Sequence, residues 1–127
     1  MTSILFVSSK KDSLSDLKRG FKEHDTQITW VESCKDTLII LKKDKFDLII
    51  TNEKLADTNG IECIKKLISF NPMLNCAAVS SLSPDDFHEA SEGLGVLMQI
   101  PKKPGKKLAI KLLDHLKTIS NLTKKAE

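Results

Sequence analysis

Tyrosine is absent from the 127 residues, and one tryptophan and five phenylalanines are the only aromatic side chains. Rings to flank a flavin are therefore scarce, which weighs against a flavin-carrying redox protein. Cysteine is sparse too: Cys34, Cys63 and Cys76 form an odd set with no C-x-x-C spacing, so buried free thiols in a reducing compartment are expected. His24, His88 and His115 are scattered, and none stands at ligand spacing from a cysteine, which removes zinc from consideration. No apolar run approaches the roughly 18–20 residues of a membrane span. The N-terminal apolar stretch follows the first residues with no basic segment before it, so a secretory leader is not expected and the location expected is cytoplasmic.

What remains is an ordinary globular composition, 40% hydrophobic and 29% charged, at a length that suits one domain. We expect that domain over residues 1–122, with a frayed tail at 123–127. The net charge of +3 is unevenly spread: residues 1–100 hold 12 Lys/Arg against 15 Asp/Glu, residues 101–127 hold 8 against 2. The basic C-terminal segment reads as the solvated face of a helix. No helix-turn-helix follows it, so nucleic acid is not an expected partner, and neither is a membrane.

Short apolar runs alternate with helical patterns along the whole chain. Ile4 to Val7, Gln27 to Val31, Phe46 to Thr51, Cys76 to Val79 and Val96 to Ile100 read as strands. Between them, helices are expected over 13–23, entered by Asp12 or Ser13, from Ser33 through Leu41, from Gly60 through Ile68, from Ser83 to about Glu92, and over 106–122. Five strands, each followed by a helix, imply a parallel sheet covered on both faces. In such sheets the working site lies beyond the carboxyl ends of the strands. There stand Ser8 and Ser9, Asn52 and Glu53, Ser80 and Ser81, and Lys102, Lys103 and Pro104.

The segment Asp47-Leu48-Ile49-Ile50-Thr51-Asn52, with Gly60 eight residues further on, resembles the centre of a response-regulator receiver domain. The likeness spans the chain and implies a single (βα)5 flavodoxin-like fold, doubly wound, with strand order 2-1-3-4-5. It also implies the roles of particular positions. Asn52 occupies the place of the phosphoacceptor aspartate, and Ser8 and Ser9 those of the acidic pair. Ser80 matches the switch Ser/Thr. Lys103, or its neighbour Lys102, matches the lysine before a proline whose peptide bond is usually cis in that family.

The departures concern the chemistry. A receiver accepts a phosphoryl group on its aspartate with Mg²⁺ held by that group and the acidic pair. Mg²⁺ requires hard oxygen ligands in an octahedral array. Replacing three carboxylates with two hydroxyls and an amide moves the local formal charge from −2 to +1 when the lysine is counted. One unit charge about 4 Å away is worth roughly 4 kcal/mol at the effective dielectric of a protein surface. No catalytic residue is therefore expected, Mg²⁺ binding is expected to be lost, and no other cofactor is implied. The resemblance points to a pseudo-receiver, not an enzyme, that signals through protein–protein interaction independently of phosphorylation. Its partner would be a histidine kinase or an output protein, or a second copy through helix 4, strand 5 and helix 5. Two alternatives stay open: an anion- or small-molecule-sensing domain on the same fold, and a phosphoacceptor that uses non-standard residues.

Overall fold

The structure, a computed structural model, describes residues 1–126, without the side chains of residues 11, 12 and 120–126. Its strands are β1 (Thr2–Val7), β2 (Thr26–Val31), β3 (Leu48–Thr51), β4 (Cys76–Val79) and β5 (Gln99–Ile100). They pair in parallel in the order β2-β1-β3-β4-β5, the doubly wound order expected. Helices α1 (Ser15–Lys22), α2 (Cys34–Leu41), α3 (Gly60–Phe70), α4 (Pro84–Ala90) and α5 (Lys107–Ala126) alternate with the strands. Residue 127 lies outside the described residues, as do the side chains throughout the tail expected at 123–127.

Both sheet faces are covered, so the central strands β1, β3 and β4 carry unbroken apolar runs. On one face Ile4, Phe6, Leu48 and Ile50 pack against Leu17 and Phe21 of α1 and Ala109 and Leu112 of α5. Phe6 stacks on Trp30 and meets Phe21 edge-on, with ring centroids 5.2 and 6.0 Å apart. On the other face Leu5, Val7, Ile49 and Ala78 meet α2, α3 and Phe87 of α4. Three helices start as expected: the side chains of Ser33, Asn59 and Ser83 accept from the N–H groups of Asp36, Glu62 and Asp86.

Three expectations need correction. Helix α1 begins at Ser15 behind a short 3-10 turn, and Ser13 does not cap it; the capping position is Leu14, with no side-chain bond of its own, and the Asp12 side chain lies outside the described ones. Strand β5 has two residues where five were expected, although the Leu97 N–H already donates to the Cys76 carbonyl and the Met98 carbonyl accepts from Ala78 ahead of it. Finally, Cys34 and Cys63 form a disulfide that joins the start of α2 to the first turns of α3, with Cα atoms 5.5 Å apart. Their separation of 29 residues carries no local signature; the packing of α2 and α3 on one sheet face brings the sulfurs together. Cys76 is free and buried, and burial pushes its thiol up to about 12.

Candidate functional site

The carboxyl ends of β1, β3, β4 and β5 converge on a polar cluster whose centre is Asn52. The main chain sets Asn52 there: its N–H donates to the carbonyl of Val7, extending the β1–β3 ladder by one residue. Its amide is then bonded at both ends. Nδ2 donates to Ser8 Oγ (2.8 Å) and to Ser13 Oγ (3.0 Å), and Oδ1 accepts from the N–H of Glu53 (2.8 Å). Ser8 is fully buried; its hydroxyl donates to the carbonyl of Lys10 and accepts from the Lys10 N–H, both at 2.9 Å. Ser13 donates in turn to the Lys10 carbonyl. This commitment explains why Ser13 does not cap α1. It is a site residue that local sequence rules assigned to another task.

Ser9 does not join this centre. It is exposed, and its hydroxyl reaches only the carbonyl of Lys54, at 3.5 Å. Ser80 is buried at the end of β4, where its hydroxyl accepts from the N–H of Leu82 at 3.1 Å. Of the two candidate lysines, Lys102 is the one that reaches across the site, with Nζ 3.5 Å from Glu53 Oε1. Lys103 is exposed, and none of the described peptide bonds is cis, including the one before Pro104.

Glu53, one of the residues expected at the strand ends, takes a course that its place in the chain does not announce. Instead of pointing along the β3–α3 loop, its carboxylate crosses to the β4–α4 loop. Oε2 accepts from the N–H of Ser81 (2.6 Å) and from its hydroxyl (2.8 Å). The Ser81 N–H does most to hold the Glu53 carboxyl below its ordinary range, against partial burial, with the Ser81 hydroxyl and Lys102 adding to it. The positive charge expected at these strand ends is thereby matched within the chain. Asp57 plays a separate part at the rim. Its carboxylate accepts from the N–H groups of Cys34 and Lys35 at the start of α2, and the Cys34 bond is the main cause of its lowered pKa.

Gly60 closes the loop behind Asn52. A Cβ there would overlap the Asn52 carbonyl and lie 2.8 Å from Thr51 Oγ1, so only glycine lets α3 start this close to β3.

The response regulator receiver domain family matches residues 4–114. This chain belongs to that family. It is 22% identical, over 102 residues, to a response regulator receiver protein of Anaeromyxobacter, a match covering 80% of this chain and 43% of that protein. The chain thus spans less than half the length of the curated relative it matches. Among solved structures, a two-component response regulator from Clostridium difficile superposes with TM-score 0.81 at 19% identity, covering 95% of this chain and 99% of that one. The receiver domain of a Francisella response regulator gives TM-score 0.81 at 20% identity, with 94% and 99% covered. These structural likenesses show the fold, and the family match places the receiver domain in signal transduction. Such domains work with signalling partners such as kinases or output domains. Among the described residues, no helix is long and apolar enough to cross a membrane.

Proposed function

We propose that this receiver domain signals without phosphorylation, through protein–protein contacts and without enzymatic activity of its own. The observation that carries the reading is the state of Asn52. A carboxamide oxygen is neutral and forms no stable acyl phosphate, and phosphoryl transfer needs both an anionic nucleophile and metal ions to neutralise developing charge. Both Asn52 amide hydrogens are bonded within the chain, and its oxygen holds the Glu53 N–H.

Mg²⁺ does not fit the residues present. The positions facing Asn52 supply the Ser8 hydroxyl, already engaged on both sides, and the Ser9 hydroxyl, which is turned towards Lys54. Among the described side chains, the carboxylate beside Asn52 is that of Glu53, and it is bound to Ser81 and Lys102. A hard cation would have to break these bonds to gain one carboxylate ligand. The same pairing weakens the anion-sensing alternative, because Lys102 already has its counter-charge.

The partner is a histidine kinase or an output protein, or a second copy meeting the surface of α4, β5 and α5. Exposed Asp85, Asp86 and Glu89 on α4, with Lys107 and Lys111 exposed on α5, support such a pairing by charge. A cytoplasmic location completes the proposal; burial of both sulfurs of the Cys34–Cys63 bond shields it there from attack by small thiols.

The test is incubation with a small phosphodonor and Mg²⁺ followed by intact-mass measurement. An unchanged mass is expected. A stable gain of about 80 Da, one phosphoryl group, mapping to the end of β3 would overturn the reading.

A further inference from the structure

The β4–α4 loop is held by side chains from two neighbouring strand ends. From the β3 side, the Glu53 carboxylate takes the N–H and the hydroxyl of Ser81. From the β5 side, Gln99 Nε2 donates to the carbonyls of Ser80 (3.2 Å) and Leu82 (2.7 Å). The Ser80 hydroxyl is engaged within the loop itself, by the N–H of Leu82. Lys102, just beyond β5, closes the arrangement by pairing with the same Glu53 carboxylate.

We propose that Glu53 and Gln99 form an internal clamp that fixes the β4–α4 loop, and with it α4, in a single position. The clamp rests on the phosphorylation-independent reading and says how the state of the domain is set. A carboxylate that accepts two hydrogen bonds and an ammonium contact is a charge-assisted link, stronger than neutral bonds of the same geometry. Opposite it, a side-chain amide grips the loop by two carbonyls. Loop motion in either direction breaks one set of bonds. Because Ser83 directly follows the clamped residues and caps α4, the clamp also orients the exposed acidic face of that helix and Leu82, which is 41% exposed. A domain so held presents one surface constitutively, and a partner reads position, not modification.

The experiment is amide hydrogen exchange, resolved by residue, on the intact chain and its Glu53→Ala, Glu53→Gln and Gln99→Ala variants. Glu53 is partly exposed, and the core faces do not depend on it, so all variants are expected to fold. Glu53→Ala should speed exchange at Ser81 and Leu82 by about tenfold or more, while amides of β1 and β3 keep their protection. Glu53→Gln, which keeps an acceptor and loses the charge, should fall between the two. Gln99→Ala should speed exchange at the same amides from the opposite side. Unaltered rates at Ser81 and Leu82 in both alanine variants would overturn the clamp, as would an equal rise across the whole sheet. The phosphodonor experiment is separate: a mass gain with an intact clamp defeats the phosphorylation-independent reading, and a constant mass with unaltered exchange defeats the clamp alone.

Discussion

From Leu48 to Thr51, β3 is fully enclosed, with aliphatic side chains packed into both sheet faces; one residue later, at Asn52, the chain enters a polar network. The two regions share a backbone and differ in what they demand. The enclosed part needs volume and apolarity, and many side chains supply both. The rim needs particular donors, acceptors and charges at particular atoms. The proposed absence of phosphoryl transfer is therefore compatible with an intact receiver fold. Gly60 shows the join between the two: steric contact with β3 retains it, whatever stands at Asn52.

The sharpest way to break this comparison is to strike the core and ask whether the rim notices. Phe6→Ala removes a ring packed on Phe21 and Trp30 and should cost about 3–5 kcal/mol in urea unfolding. Next in size is the staple on the opposite face. Opening the Cys34–Cys63 bond, with its 29-residue separation, should cost roughly 3–4 kcal/mol on loop-entropy grounds, measured by unfolding with and without reductant. At the rim the effects shrink. Ser13→Ala leaves one Asn52 amide hydrogen unpaired and should lower stability by about 0.5–1.5 kcal/mol, with the Ser8 bond intact by NMR.

The smallest effect is one of pH. Glu53 has a lowered folded-state pKa, so its contribution is fully present above the unfolded value and is lost as pH falls through the folded one. Unfolding midpoints of the native chain and Glu53→Gln should therefore differ at neutral pH and converge in acid. A gap that persists or widens on acidification would contradict the assignment of that carboxylate.

The parts legible in the sequence were those set by neighbours along the chain. Apolar runs marked β1, β3 and β4, and Ser33 and Ser83 announced their helices through side chains that bond three residues ahead. Asn52 was legible by its spacing from Gly60. The parts that were not legible depend on reach between distant segments. Ser13 looked like a cap until Asn52, 39 residues away, claimed its hydroxyl. Glu53 sits 28 residues from Ser81, and the choice between Lys102 and Lys103 turns on which ammonium faces that carboxylate. Cys34 and Cys63 could not be paired before α2 and α3 were laid on the same face. Residue type and spacing say which groups are available, and only the packed fold says which of them meet.

Whether the strand ends can still hold a divalent cation is answered most directly by titrating Mg²⁺ into the native chain while following the backbone amides of Ser8, Asn52, Glu53 and Lys102 by NMR. With hydroxyls and an amide already bonded to one another, and Glu53 bound to Ser81 and Lys102, these signals should stay put to about 10 mM Mg²⁺. A saturable shift centred on Asn52 at lower concentration would show that the rim retains its metal chemistry.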